Sequence, residues 1–89
     1  GILMRVNQVI EKFVEGETSG KSSSVFIKGN ILYSFGEHFP LAVRTKDGFI
    51  VNNEKFSQTT SKHQNILLGT IPKMQLLKTV ETNEIMKLV

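Results

Sequence analysis

The stretch Leu41-Ala42-Val43-Arg44-Thr45-Lys46-Asp47-Gly48-Phe49-Ile50-Val51-Asn52 decides how this chain folds. Its first arm alternates, with Leu41, Val43 and Thr45 toward one side and Ala42, Arg44 and Lys46 toward the other. A period of two is the mark of a β-strand. The second arm, residues 49–52, is apolar and β-branched. Between them stands Asp47-Gly48, a pair that supplies the positive φ angles of a type I′ turn. The segment is therefore expected to be a β-hairpin.

Upstream, residues 24–28 and 31–35 read as another strand pair, with Gly29-Asn30 as a tight turn. Downstream, Asn53-Glu54 suits a turn and residues 55–59 a fifth, short strand. Before the strands, the period is 3.6: Val6, Val9, Ile10, Phe13 and Val14 fall on one helical stripe, and Gly16 sits where a helix-ending glycine belongs. Residues 16–23 are small and polar, as in a loop. A second, short helix is expected from Thr60 or Ser61. There Ser61 and Gln64 have capping-box spacing, Gly69 closes the helix, and Pro72 bars continuation beyond Ile71. Residues 74–80 fit a strand or a helix, and Thr82 can cap a last turn. The expectation is an α+β fold in a single domain, residues 1–89. It comprises an N-terminal amphipathic helix, an antiparallel meander of four to five strands, a short helix, and a C-terminal strand or helix.

Size and composition narrow the function classes. With 89 residues the chain buries about 60–65% of its unfolded surface, enough for one modest core. That excludes a nucleotide-binding sheet with a separate substrate domain. The absence of cysteine removes disulfides, zinc-thiolate sites and a Cys nucleophile. Hydrophobic residues at 39% and charged residues at 21% are those of a soluble globular domain, and no apolar run is long enough to span a bilayer. No secretion signal is evident, so a cytoplasmic location is expected. Gly1 reads as a tag remnant before a start between Ile2 and Met4.

The net charge of +3 is unevenly spread. Residues 21–80 hold eight of the eleven lysines and arginines and a net +5, while each end is −1. A basic centre fits nucleic acid, a nucleotide or an acidic host protein. A solubilising surface explains it equally well.

Three motifs invite chemistry. Gly16-Glu17-Thr18-Ser19-Gly20-Lys21-Ser22 imitates a phosphate-binding loop, but it has three residues between its glycines instead of four. It also follows a helix instead of a strand, so it is read as a plain loop. His38 and His63 are the side chains that titrate near neutrality, and together with Lys62 they would suit a small nuclease or hydrolase. Two histidines with no clustered carboxylate or thiol do not make a metal site, and no cofactor is implied. The run Ser57-Gln58-Thr59-Thr60-Ser61-Lys62-His63-Gln64 places hydroxyls, amides and a cation at an expected helix start, which suits an anion. Simple capping competes with that reading. Tyr33, Phe35 and Phe39 suit base stacking or core packing.

Two of these segments carry a resemblance. Asn30 to Arg44, followed by Gly48 to Asn53 and Lys55 to Gln64, resembles a family of small proteins of bacteriophages, archaeal elements and other mobile or host genomes. The family pattern reads Tyr-Ser-Tyr-Gly-x-His-Phe-Pro, then a glycine turn, then Tyr-Ser-x-Thr-Thr-Ser-Lys-His-Gln. Phe35 and Phe56 stand here where the family has tyrosine. The resemblance covers about 35 of the 89 residues. It implies no particular activity, but it implies that Ser34, His38, Thr59, Thr60, Ser61, His63 and Gln64 share a face. The expected function is a non-enzymatic binding module whose contacts come from Tyr33, Ser34, His38, Arg44, Thr59, Thr60, Ser61, Lys62, His63 and Gln64. A His-dependent hydrolase and an inhibitory interaction domain are the alternatives. A homodimer through the first helix or the apolar tail is a further expectation.

Overall fold

The computed structural model describes residues 5–35, 39–55 and 57–89. The order is α1 (Val6–Glu15), β1 (Ser19–Lys21), β2 (Val25–Lys28), β3 (Ile31–Ser34), β4 (Pro40–Thr45), β5 (Gly48–Asn52), α2 (Gln58–Thr70), β6 (Leu76–Val80) and α3 (Thr82–Ile85). Single 3₁₀ turns precede β6 and follow α3. The six strands form one sheet in sequence order. Neighbours are antiparallel except β5 and β6, which run parallel. A parallel pair needs a crossover, and α2 supplies it. The α+β class and the meander are as expected.

Alternation in the strands produces two cores. On one face Val25, Ile27, Leu32, Phe49 and Val51 meet Val9, Ile10 and Phe13 of α1 and Leu67 of α2. On the other, Val43, Ile50 and Val80 meet Ile85 of α3. Strand β5 is buried along all five residues because helices cover both of its faces. Each fully buried apolar side chain contributes about 1.5–3 kcal/mol. A bulge between β3 and β4 lets Leu41 and Ala42 both join the first core.

Several local expectations are corrected. The β4–β5 corner is Lys46-Asp47, between the paired residues Thr45 and Gly48. Neither corner residue has positive φ, so a type I′ turn does not form. Thr45 holds the corner instead: its Oγ1 accepts from the N–H groups of Asp47 and Gly48 and donates to the Gly48 carbonyl. At Gly29-Asn30 the glycine alone takes positive φ (66°), the sign pattern of a type II′ turn. Residues 53–55 are irregular, and a helix occupies residues 58–70, so the expected strand over residues 55–59 is absent among the described residues. The first strand, Ser19–Lys21, lies inside the expected loop.

The second helix starts two to three residues earlier than expected and runs through Gly69. Ser57 caps it, accepting from the Thr60 N–H at 3.1 Å, and the Ser61–Gln64 box is not used. Both sheet edges are blunted. β1 has only three residues, and β6 carries Lys78 and a register irregularity against β5.

Arg44 is the clamp that joins α1 to the sheet. Its guanidinium donates to the Phe13 carbonyl (2.6 Å), the Glu17 carbonyl (3.0 Å) and the Gly29 carbonyl (3.3 Å), and lies 5.0 Å from the centre of the Phe13 ring. The Phe13 carbonyl lies in the last turn of α1, at the negative end of its dipole, so a planar cation suits it, and the same fork reaches the carbonyls of the turns at Glu17 and Gly29.

Candidate functional site

The inner face of α2 is Thr60, His63, Gln64 and Leu67, the i, i+3, i+4, i+7 stripe that packs on the sheet. Three of the four are polar, so each needs a partner in the seam. Thr60 is 1% exposed, and its Oγ1 meets Ser57 Oγ at 3.0 Å. Gln64 donates from Nε2 to the carbonyls of Asn52 and Glu54, both at 2.9 Å, and so fixes the chain as it leaves β5.

His63 is 4% exposed. Its Nδ1 lies 3.0 Å from Ser34 Oγ at the end of β3, and its Nε2 lies 3.5 Å from Ser24 Oγ before β2. A neutral imidazole has one donor and one acceptor, so one serine accepts and the other donates. Burial pushes the imidazole below its ordinary pKa, and His63 is neutral at physiological pH. The Phe35 ring lies 5.7 Å away, centre to centre. Phe35 is the one non-glycine residue with positive φ (60°) among those described, and its side chain is 60% exposed.

Asn52 anchors the opposite side of the sheet. It is fully buried, donates from Nδ2 to the Pro40 carbonyl (2.9 Å) and to Thr82 Oγ1 (3.0 Å), and accepts from the Glu54 N–H at Oδ1 (2.9 Å). All its side-chain capacity except one lone pair is used.

The residues singled out from sequence therefore divide. Ser34 and His63 meet directly. Thr60, His63 and Gln64 face inward, whereas Thr59 and Lys62 are exposed and Ser61 is partly exposed. Tyr33 is buried, and its ring stacks on Phe26. Arg44 is engaged by backbone carbonyls. His38 lies outside the described residues. Ser24, Asn52 and Ser57 were not singled out. Ser57 stood in plain view as the first hydroxyl of its run, but Ser24 gave no signal.

Outside this seam, α2 borders two adjoining depressions. One, of about 480 Å³, is lined by Lys55, Ser57, Gln58, Ser61, Lys62 and Asn65. The next, of about 420 Å³, shares Lys55, Ser61 and Asn65 and continues past Asn53 and Leu68. Among the described residues, no carboxylate-bearing one lines either of them. Glu54 is the one acidic residue between positions 49 and 80, and its Oε1 accepts from the Thr82 N–H at 3.2 Å. No group of three or more potential metal ligands occurs among the described residues. Nor is any helix among them long and apolar enough to cross a membrane.

The fold and its polar seam define a small α+β domain whose second helix is joined to the sheet by side chains instead of by apolar packing alone. The chain belongs to a family of unknown function, DUF8033, whose model matches residues 6–86. No curated protein and no solved structure matches it.

Proposed function

We propose that the protein is a non-enzymatic binding module that holds a phosphate-bearing partner, nucleic acid or nucleotide, along the outer side of α2. The observation that carries this reading is the pair of joined depressions lined by Lys55, Lys62, Ser61, Gln58 and Asn65 with no acidic residue among them. Ammonium groups and neutral donors together are what phosphate oxygens accept from. Ser57 is spent on capping and His63 on the two serines, so the binding surface is Ser61 and Lys62 with their neighbours Lys55, Gln58 and Asn65, and Thr59 lines neither depression. The hydrolase reading draws less support, because a histidine that is 4% exposed and engaged at both nitrogens offers substrate no free base. The phage or mobile-element setting implied by the resemblance would place the partner in a host cytoplasm.

Calorimetric and electrophoretic titration against DNA, RNA and nucleotides tests the reading. Binding is expected at low salt, with loss in the Lys55→Glu/Lys62→Glu variant. Failure of the unmodified protein to bind any of them at low salt removes it.

A second reading, self-association, is favoured by apolar side chains left in water near the C-terminus. Met74 is 95% exposed, and Leu77, Met86, Leu88 and Val89 are about half exposed. The first helix does not serve, since Val9, Ile10 and Phe13 are used in the core. A mass by light scattering that stays monomeric across concentrations would exclude this reading.

A further inference from the structure

The face of the sheet away from α1 and α2 is only partly covered. Helix α3 packs there over β4 and β5, its Ile85 against Val43, Ile50 and Val80, with Ile31 of β3 beside them. Over β1–β3 the same face presents two cross-strand rows, Lys21–Phe26–Tyr33 and Ser19–Lys28–Ile31. Phe26 and Tyr33 are directly opposite each other, and their rings stack at 5.1 Å with 22° between planes. Tyr33 is 4% exposed and so forms the backing, while Phe26 is half-buried and Lys21 beside it is exposed. A depression of about 370 Å³ is lined by Gly20, Lys21, Phe26 and Ile27. Gly20 pairs with Ile27, so these two lie toward the α1 side, while Lys21 and Phe26 lie toward this one.

Charge says what fits there. None of the described strand residues is acidic, and this face of the sheet carries Lys21, Lys28 and Lys78. An apolar peptide would have no use for those cations, and an acidic peptide would have none for a flat aromatic ring. An unpaired nucleotide has a π-face for the ring and a phosphate for the lysine. In a duplex both faces of each base are already stacked, so the ring could not be reached.

We propose that the β1–β2 end of this face binds single-stranded nucleic acid, with a base stacked on Phe26 and a neighbouring phosphate on Lys21. The surface lies on the opposite side of the sheet from the α2 depressions and does not depend on them. The second ring keeps Phe26 from yielding when a base presses on it, so little side-chain freedom is lost on binding.

The test is fluorescence anisotropy with labelled oligo(dT), oligo(U) and a short duplex, at about 50 and about 200 mM salt. The proteins compared are the unmodified protein, Phe26→Leu, Lys21→Ala and Lys55→Ala/Lys62→Ala. Phe26→Leu keeps apolar bulk in the sheet, and thermal melting verifies that each variant is folded. Single strands are expected to bind more tightly than duplex. Phe26→Leu is expected to weaken single-strand binding at least about five-fold, the lower end of one lost stacking contact. Lys21→Ala is expected to lower the salt slope by about one phosphate contact.

The proposal is overturned if no single strand binds, if duplex binds equally well, or if Phe26→Leu binds as the unmodified protein does. It is also overturned if polyglutamate competes as well as oligonucleotides do. Loss of binding in the Lys55/Lys62 variant alone supports the α2 reading and defeats this one. Loss in the Phe26 variant alone does the reverse.

Discussion

Replacing Asn52 by Asp should make the stability of this domain strongly dependent on pH. The two side chains have the same shape, so no cavity opens. What changes is the edge facing the Pro40 carbonyl, where Nδ2 now donates at 2.9 Å. An ionised carboxylate there would set two acceptors against each other in a site with no exposure. The carboxyl group therefore stays protonated in the folded protein, and its pKa rises above the unfolded value of about 3.9. A raised acid pKa contributes full stability below the unfolded value, and that stability is lost as pH climbs toward the folded value.

Near pH 4 the protonated acid donates to Pro40 and the Thr82 hydroxyl donates back, so one donor is lost at about 1 kcal/mol. Each pH unit above that adds about 1.4 kcal/mol, which reaches about 4 kcal/mol more at pH 7 if the group is still protonated there. A domain of this size has about 5–15 kcal/mol in total, so Asn52→Asp should be close to unfolding at neutrality. Urea unfolding of both proteins near pH 4 and near pH 7 measures the difference, in which effects common to both proteins cancel. An equal loss at the two pH values would refute the reasoning.

Gly48→Ala should cost about 2–3 kcal/mol, read as a lower urea midpoint at constant slope, because a Cβ there would press on the Gln75 carbonyl and the Leu77 side chain. Gly29→Ala, at φ +66° but with open space around it, should cost only about 1 kcal/mol. As a histidine whose folded pKa is lowered, His63 contributes stability that is complete above its unfolded value of about 6.5 and lost as pH falls below it. His63→Gln should therefore flatten thermal melting temperature against pH in the acid range relative to the unmodified protein, and an unchanged curve would contradict that. Arg44→Lys should cost about 1–2 kcal/mol in chemical unfolding, since an ammonium cannot reach three separated carbonyls as the guanidinium fork does.

The sequence made visible what is apolar and periodic. Val9, Ile10 and Phe13 announce α1, and short alternating or apolar arms separated by turn residues announce the meander of β2 to β5. The start of α2 was obscured because its buried stripe begins Thr60, His63, Gln64, so an apolar period first appears at Ile66. β1 has no apolar residue at all, and only its pairing with β2 makes Ser19-Gly20-Lys21 a strand. β6 suits two conformations, and its place is set by the helix that carries the chain back to the far edge of the sheet. In the seam, Ser34 and His63 were legible through the resemblance. Asn52 was hidden as the polar last residue of an expected strand, and its burial follows from α3 closing over it, a long-range event with no local signature. The Asp47-Gly48 reading placed a hairpin correctly and its corner one residue late, because Thr45 offers the turn a hydroxyl that backbone propensity does not count.

The strand order has a consequence for how the molecule assembles. Strands β1 to β5 pair only with sequence neighbours, across connections of a few residues, so each hairpin can close with little loss of chain entropy. β6 alone must wait, because its parallel partner lies beyond a thirteen-residue helix. A chain emerging from a ribosome thus has its five-strand meander available early and its last edge late, when Gln64 has met the 52–54 backbone and turned the helix toward home. Mutations in the β2–β4 hairpins should slow folding, whereas those in β6 should chiefly speed unfolding.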